Sequence, residues 1–363
     1  MTWTRREVAK LGALGFAACA VPSLAAQTTG PQTGYAIIGL GRIAAIFMAG
    51  VRNSSNSKVT ALVSGHRDKA LRIAADYGVP ESSIYSYEEF DSIASNKSVD
   101  AVYVALPNGM HAEYTIRAAK AGKHVLCEKP MANNVAECEA MIAACKSAGV
   151  KLMIAYRCHL EPTNLRAIEL IRSGAIGQVQ AIESGYGFNI SPTDWRLQKK
   201  MAGGGPLVDV GIYALNATRY LTGEEPVSFT AIASVIDHDG RFKEVEENVS
   251  WTTRFPSGIV AACNTTYGGQ FTSFYRVHGS KGSIEASPAF DYDRLHLTGA
   301  YFGNGFNHID EPNPARNPYQ FQAEAEYFSN CVQNGIEPKT PGEEGLRDMR
   351  YIAEIYRAAG VAV

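Results

Sequence analysis

A glutamate and a lysine stand directly after one of the apolar stretches of this 363-residue chain. An apolar run, residues 125–127 (VLC), leads into Glu128 and Lys129. Ligands of open α/β sheets bind beyond the carboxyl ends of the strands, which is where such a pair would lie. A lysine there can donate hydrogen bonds to a substrate oxygen, and its charge lowers the pKa of neighbouring acids. The pair is therefore a candidate for chemistry, and the alternative is a structural ion pair between the two side chains.

A glycine-rich turn nearer the N-terminus is typical of dinucleotide binding. Gly39, Gly41 and Ala44 form the pattern G-x-G-x-x-A between an apolar run and a helical segment. The first glycine permits a tight turn, the second lets the backbone approach a pyrophosphate, and the third small residue lets the helix pack on the strand. The alternative is a glycine turn that binds nothing. The predicted cofactor contacts in this turn are Gly39, Leu40, Gly41, Arg42 and Ile43.

The end of the next apolar run indicates which dinucleotide is bound. NAD sites place an acid there to bind the ribose hydroxyls. Here Ser64 and Gly65 occupy the tip, followed by Arg67 and Lys69. A hydroxyl with nearby cations suits a 2′-phosphate, so the sequence predicts NADP. Asp68 competes with this interpretation, and the two cations could instead be solvated charges of a helix surface.

A third turn, after the run at 101–105, is predicted to lie at the nicotinamide ribose. Leu106, Pro107 and Asn108 leave the sheet at that point, and His111 follows. We expect all four near the cofactor. His111 is interpreted as a helix-start residue or a ribose contact rather than a proton carrier.

These turns need a scaffold that places strand ends side by side. Apolar runs at 35–39, 59–63, 101–105, 123–127 and 151–155 alternate with helical patterns at 42–52, 67–78, 111–121 and 134–148. Strands that are apolar on both faces and alternate with helices predict a parallel sheet covered by helices. A dinucleotide-binding domain is therefore expected at 35–155.

The remainder, 156–363, has a different pattern. A helix is expected at 162–173, and a series of strand-like segments follows between 178 and 300, interrupted by an irregular and partly helical stretch at 192–223. Helical patterns return from about 319, and these helices could pack back on the first domain. The predicted fold class is α/β, with an N-terminal Rossmann domain and a C-terminal α+β domain built on a large, open, mostly antiparallel sheet.

Composition and charge exclude several classes of protein. The net charge of −2 provides no basic field for nucleic acid or a membrane surface. Seven cysteines without paired short spacing indicate individual buried thiols rather than a disulfide framework. Histidines 238, 278, 296 and 308 lack the spacing of metal ligands, so no metal site is predicted.

The first 26 residues have the features of an export signal. Arg5 and Arg6 precede an apolar stretch at 11–21 and small residues near Ala26. This pattern is typical of a twin-arginine signal, which exports folded proteins, although an ordinary amphipathic helix is the alternative. A periplasmic protein, loaded with its cofactor before export and free of the membrane after signal removal, is expected. Residues 27–34 would be a polar linker.

Three motifs together give a resemblance to a known family. The turn at Gly39–Gly41, the triplet Glu128-Lys129-Pro130 and the segment 203–216 (GGGPLVDVGIYALN) resemble the glucose–fructose oxidoreductase/inositol dehydrogenase (Gfo/Idh/MocA) family, over about residues 34–358. The chain is most similar to the exported glucose–fructose and aldose–aldose members. The resemblance implies a Rossmann domain, a large open-sheet domain and oxidation of a sugar or polyol hydroxyl by a nicotinamide cofactor.

The resemblance also assigns roles to residues. Lys129 matches the active-site lysine, Asp209 matches an aspartate that contacts substrate, and Tyr213 stands where many members have a histidine. The tyrosine would be the base, with Lys129 and the nicotinamide charge depressing its pKa. Cofactor contacts are also expected from Glu128, Lys129 and Arg157. Substrate contacts are expected from Lys129, Tyr156, Arg157, His159, Trp195, Arg196, Asp209 and Tyr213.

The implied activity is oxidation of an aldose at C1 to a lactone, with the hydride passed through tightly bound NADP to a second sugar. Two alternatives are a family glycosidase that oxidises transiently and a dehydrogenase with an exchangeable cofactor. A binding or sensor protein that holds its cofactor without turnover is a third. Because an exposed sheet face of this size would be an unusual apolar patch, we expect a homodimer or homotetramer formed through it.

Overall fold

The first half of the chain forms a parallel sheet in the computed structural model, which describes residues 30–362. Its strands are β1 (Thr33–Ile38), β2 (Ser57–Val63), β3 (Ile84–Tyr85), β4 (Ala101–Val104), β5 (His124–Glu128) and β6 (Leu152–Ala155). They lie in the order β3-β2-β1-β4-β5-β6, which confirms the predicted Rossmann sheet. The short strand β3 was not predicted, because two residues carry no periodic pattern.

Four helices connect these strands close to the predicted positions. They are α1 (Arg42–Arg52), α2 (Arg67–Tyr77), α3 (His111–Lys120) and α4 (Val135–Ala148). The side chain of Asn134 caps α4 by accepting a hydrogen bond from the Glu137 N–H, and Gly149 ends this helix in the left-handed conformation. The predicted export signal lies outside the described residues. Within the predicted linker, β1 has already begun at Thr33.

The second half of the chain forms an eight-stranded sheet. Its strands are β7 (Val179–Gly187), β8 (Ser228–Ser234), β9 (Asn248–Arg254), β10 (Val260–Thr266), β11 (Thr272–Gly279), β12 (Gly282–Ala286), β13 (His296–Gly303) and β14 (Gly305–Pro312). The order is β14-β13-β12-β11-β7-β10-β9-β8, and every pair is antiparallel except β7 with β10. The mostly antiparallel second sheet was therefore predicted correctly.

The second half of the chain also has five helices, of which the first, third and fifth pack on strands of this sheet. They are α5 (Pro162–Arg172), the short α6 (Lys199–Ala202), α7 (Ile212–Thr222), α8 (Tyr319–Asn334) and α9 (Gly342–Ala358). Helix α7 follows one turn of π-helix, Leu207–Gly211, and packs its buried side chains against inward-facing residues such as Trp251 and Tyr275. The predicted irregular stretch at 192–223 thus contains the two helical turns that carry Asp209 and Tyr213.

The other face of the second sheet is open but largely polar. Ile232 is 75% exposed there, but its neighbours include Thr230, Ser250 and Thr252. Further along the same face, Arg276 pairs with Glu285 at 2.7 Å. The expectation of a continuous apolar patch on this face was therefore wrong, because alternate residues of these strands are hydroxyl-bearing or charged. Association through the face stays a prediction.

Helix α8 returns to the first domain, where it packs beside α1. Phe321, Ala325 and Phe328 enter the same core as residues of β1, β4 and α1. The Tyr35 hydroxyl of β1 donates a hydrogen bond to the Ala325 carbonyl at 3.1 Å. Gln320 at the start of α8 accepts a hydrogen bond from Arg157, so the helix also contacts the turn that follows β6. No helix within residues 30–362 has the length and apolarity needed to cross a membrane.

Candidate active site

The turn after β1 has the geometry that a pyrophosphate requires. Gly39 has φ +84°, and a Cβ there would lie 2.6 Å from the Ala105 carbonyl oxygen. A Cβ at Gly41 would meet nothing within 4 Å, so this exposed backbone faces open space at the N-terminus of α1. Ala44 is fully buried against the sheet. These observations fit a dinucleotide held by backbone N–H groups at the helix start. Around them, Leu40 is buried, Arg42 exposed and Ile43 half-buried.

Of the predicted phosphate contacts at the tip of β2, Ser64 is buried, whereas Gly65, Arg67 and Lys69 are exposed. The Ser64 hydroxyl accepts a hydrogen bond from the His66 N–H at 3.0 Å, and Gly65 is exposed beside it. Arg67 begins α2 and pairs with Glu81 at 2.7 Å, with both side chains more than half exposed. A surface pair of this kind is weak, so Arg67 can turn to a ligand phosphate. Lys69 is exposed on the next part of the same helix.

The residues of the loop after β4, which were expected to contact the cofactor, make several contacts with the rest of the protein instead. Leu106 is buried, Pro107 is half-buried, and the Asn108 side-chain amide donates to the Ala202 carbonyl at 2.8 Å. The ring nitrogens of His111 lie 2.8 Å from the Leu106 carbonyl and 2.9 Å from the Pro130 carbonyl.

His111 is 0% exposed, and burial lowers its pKa. Its ring therefore has no surface with which to touch a ribose. Because it joins the turns after β4 and β5, His111 supports the site from behind, and only its helix-start interpretation agrees with the structure.

The predicted Glu128 and Lys129 lie at the carboxyl end of β5. Lys129 Nζ donates to the Asp209 carbonyl oxygen at 2.6 Å and lies 3.3 Å from the Asp209 carboxylate. Glu128 instead accepts hydrogen bonds from the Tyr103 hydroxyl and from the Lys129 backbone N–H. Burial raises the pKa of Glu128. The lysine is thus paired with the aspartate 80 positions away rather than with its neighbour, so the alternative of a local ion pair was wrong.

Asp209 is the point at which several donors meet. It lies in the π-helical turn, and its carboxylate accepts a hydrogen bond from the Tyr267 hydroxyl at 2.8 Å. Arg196 Nε lies 3.1 Å from the same oxygen. Burial acts to raise the pKa of Asp209, but Arg196 and then Lys129 outweigh it and hold the pKa at about 2. The carboxylate therefore stays ionised and fixes both cations at the mouth of the site.

Tyr213 stands on the first turn of α7, between two cations. Lys129 Nζ is 4.8 Å from the ring centroid, and Arg157 donates from Nη2 to the tyrosine hydroxyl at 3.3 Å. Burial raises the pKa of Tyr213 well above 10, and the strongest opposing influence is Arg157. Burial therefore favours the neutral phenol of Tyr213, and Arg157, rather than Lys129 as expected, is the main influence toward the phenolate.

The other predicted substrate contacts divide into two groups. Arg196 reaches Asp209 and lies 4.6 Å from the Trp195 ring, so this half-buried pair belongs to the site. Tyr156 is 3% exposed, and His159 bonds Asn216 at 2.7 Å. These two side chains were wrongly expected to contact substrate, because they face a buried polar cluster between α7 and α9. Arg157, also 3% exposed, contacts Tyr213 instead of open space.

The comparisons with known proteins agree with this arrangement. Residues 33–156 match the family described as "Oxidoreductase family, NAD-binding Rossmann fold", and 164–285 match the "GFO/IDH/MocA C-terminal domain". The D-xylose 1-dehydrogenase [NADP(+)] of Haloarcula marismortui is 34% identical over 313 residues, which are 83% of this chain and 84% of that protein. The chain belongs to the Gfo/Idh/MocA family. It is an oxidoreductase with a nicotinamide dinucleotide-binding Rossmann domain.

Two further relatives extend the comparison. The D-xylose 1-dehydrogenase (NADP(+)) 2 of Haloferax volcanii is 32% identical over 317 residues, covering 85% of this chain and 93% of that protein. The crystal structure of aldose-aldose oxidoreductase from Caulobacter crescentus, complexed with glycerol, is similar with a TM-score of 0.86 and 48% identity. That match covers 91% of this chain and 98% of the other.

Sequence reasoning missed two tyrosines of the site. Tyr267 follows β10 and bonds Asp209 across 58 positions, and the Tyr292 ring lies 4.6 Å from the Arg157 guanidinium. A tyrosine at the end of an otherwise small-residue strand was the available signal for the first, and nothing in the sequence singled out the second. Among residues 30–362, no group of three or more potential metal ligands was found, and the six cysteines there are buried and unpaired.

Proposed function

We propose that this protein oxidises an aldose at C1 to the aldonolactone with NADP and passes the hydride to a second sugar, which becomes a polyol. The observation that carries the proposal is the grouping of Lys129, Asp209 and Tyr213 at the carboxyl end of β5, at the same edge of the sheet as the turn of Gly39 and Gly41. The similar aldose-aldose oxidoreductase and the two NADP-dependent xylose dehydrogenases support sugars as substrates.

Lys129 binds the reacting oxygen in this mechanism. Two contacts with Asp209, at 2.6 and 3.3 Å, fix the ammonium group, which retains donor capacity for a ligand. The side chain is only 11% exposed, so its charge acts in a poorly solvated space. A hydrogen bond from Lys129 to the C1 oxygen orients the sugar and stabilises negative charge on that oxygen.

Tyr213 takes the proton of the same hydroxyl in its deprotonated phenolate form, because a neutral phenol could not accept it. When bound, a nicotinamide dinucleotide supplies the hydride acceptor. Transfer of the hydroxyl proton to the tyrosine leaves the C1 oxygen free to form the lactone carbonyl, so the proton and the hydride leave the sugar on different acceptors. In the return half, Tyr213 gives its proton to the carbonyl oxygen of the second sugar, and the residue ends in its starting state.

The cofactor would be held by the exposed backbone at Gly41, with Arg67 and Lys69 at its 2′-phosphate. The chain's own cations at the tip of β2 and the names of the two xylose dehydrogenases support NADP over NAD. A cofactor that stays bound would make the two half-reactions alternate on one site. Periplasmic location after folded export, and a homodimer or homotetramer formed through the open sheet, belong to the same proposal.

Paired sugars test this function. Protein loaded with NADP, freed of excess nucleotide and mixed with glucose should show one equivalent of reduced nicotinamide, which a second aldose or ketose then reoxidises. Lactone and polyol should form in equal amounts. If added NADP is needed for every turnover, the protein is a conventional dehydrogenase. If sugar leaves the nicotinamide unchanged, or if an aryl glycoside releases its aryl group while no lactone forms, the proposal is wrong.

A further inference from the structure

Arg157 is a buried cation held by neutral groups. Its Nη1 donates to the Asp291 carbonyl at 3.1 Å and to the Gln320 side-chain oxygen, and its Nη2 donates to the Phe290 carbonyl at 2.5 Å. Within residues 30–362, no carboxylate forms an ion pair with it. The buried carboxyls of Glu128, Glu161 and Glu324 interact with Arg157 from further away, and burial raises the pKa of each, which favours their neutral forms. A buried charge without a partner is costly, so a neighbour that can take negative charge is favoured to do so.

That neighbour is Tyr213. Arg157 Nη2 donates to the tyrosine hydroxyl at 3.3 Å, and the guanidinium carbon lies 5.1 Å from the ring centroid. Lys129 is similarly near the ring, at 4.8 Å, but its charge is opposed by the Asp209 carboxylate at 3.3 Å. The net positive charge beside the phenol therefore comes from Arg157.

We propose that Arg157 is the positioning residue that enables Tyr213 to act as a base: its unneutralised guanidinium stabilises the phenolate, and the 290–291 carbonyls with Gln320 hold it there. This role rests on the proposed function, and it differs from the substrate and cofactor contacts expected from the sequence. Burial raises the pKa of Tyr213, with smaller raising contributions from Tyr292, Cys158 and Glu128, and Arg157 lowers it.

Gln320 offers a test that leaves Arg157 in place. Gln320→Glu sets a carboxylate of nearly the same shape against Nη1 and so supplies the missing counter-charge. Gln320→Met, the matched control, removes the hydrogen bond without adding charge. In each protein, Tyr213 is replaced by 3,5-difluorotyrosine, whose more acidic phenol brings the titration into an accessible range. The phenolate absorbance is then followed against pH, in the full-length chain without sugar.

The proposal predicts that Gln320→Glu raises the titration midpoint by about 1 unit or more. The added carboxylate neutralises the guanidinium of Arg157, and an opposite charge within 4–6 Å of a titrating group typically changes its pKa by that amount. Gln320→Met should move it by less than half as much. Arg157→Gln should raise it at least as far as Gln320→Glu, with Arg157→Lys between wild type and Arg157→Gln.

An unchanged midpoint in Gln320→Glu, or an equal change in Gln320→Met, would overturn the role of the guanidinium charge. The titration needs neither substrate nor turnover, so it is read independently of the sugar chemistry. Failure of the proposed function would show instead as a full reaction rate in Tyr213→Phe.

Discussion

Replacing Asp209 by asparagine removes the one carboxylate among residues 30–362 that pairs with both Lys129 and Arg196. The substitution keeps the size of the side chain and leaves the backbone carbonyl that accepts from Lys129. Tyr267 can still donate to the amide oxygen. The change therefore isolates the charge, and the two cations must then repel each other in a poorly solvated space, since only 11% of the lysine side chain and 33% of the arginine side chain are exposed.

The magnitude follows from the pKa of the aspartate. A value of about 2 against an ordinary 3.8 corresponds to roughly 2.5 kcal/mol at 1.36 kcal/mol per pH unit. Because the folded pKa is depressed, this stabilisation is present above the unfolded pKa and is lost as the pH falls through the folded one. Asp209→Asn should thus lower the free energy of unfolding by about 2–3 kcal/mol at pH 7, and the difference should shrink below about pH 4.

Urea unfolding followed by tryptophan fluorescence measures this difference, with Asp194→Asn as the control. Asp194 also pairs with Arg196, at 3.3 Å, but its side chain is twice as exposed as that of Asp209, and asparagine keeps its role as a helix cap. The control should change stability by less than about 1 kcal/mol. Equal effects of the two substitutions, or a loss in Asp209→Asn that is independent of pH down to about 3, would refute the reasoning.

Three other predictions concern the cofactor site and the buried cluster behind α7. Gly41→Ala should keep the wild-type melting temperature, because its Cβ meets nothing, but it should weaken dinucleotide binding about tenfold or more, as measured by calorimetry. Gly39→Ala should instead lower the melting temperature. The reverse pattern would contradict the assignment of this turn to the cofactor. Arg67→Ala should weaken NADP binding about tenfold and leave NAD binding unchanged, and equal losses for both would exclude a 2′-phosphate contact. Burial raises the pKa of Asp348 to about 6, so the stability that this carboxyl contributes is present below pH 4 and is lost as the pH rises through about 6. Asp348→Asn should therefore reduce the pH dependence of the free energy of unfolding between about pH 4 and 6. An unaltered slope over that range would refute this prediction.

The first sheet could be predicted from the sequence because its strands are buried on both faces. The runs that became β1, β2, β4, β5 and β6 were found within about two residues, and the glycine turn fixed which end binds a ligand. Strand β3 was not predicted because it consists only of Ile84 and Tyr85, which are too few residues to show a pattern. The strands of the second sheet could also be predicted, because apolar and polar residues alternate along them. The open face of that sheet, however, is largely polar rather than apolar as expected.

The candidate site was predicted only in part, because its contacts join distant segments. The strand end placed Lys129, and the resemblance to the family added Asp209 and Tyr213. Their arrangement depends on one π-helical turn, which the periodicity of apolar residues in the sequence does not predict. The donors Tyr267 and Arg196 come from a strand end and an irregular loop, which the sequence does not bring together.

Side-chain direction accounts for the remaining errors. Tyr156, Arg157 and His159 are close in sequence, as residues after a strand end at the site edge should be, and all three were expected to contact substrate. The structure turns Arg157 toward Tyr213 and the other two toward the cluster of Asn216 and Asp348. Direction within a short 3₁₀ turn depends on what packs against it, which the local sequence does not contain.

Single-turnover reduction of bound nicotinamide by glucose tests the central claim most directly. The protein is loaded with NADP and mixed rapidly with sugar, and the absorbance of the reduced nicotinamide is followed. Tyr213→Phe and Lys129→Ala should each slow this step by about 10²–10⁴-fold while still binding NADP, because each removes a group that handles the C1 oxygen. Near wild-type rates in either variant would contradict the account.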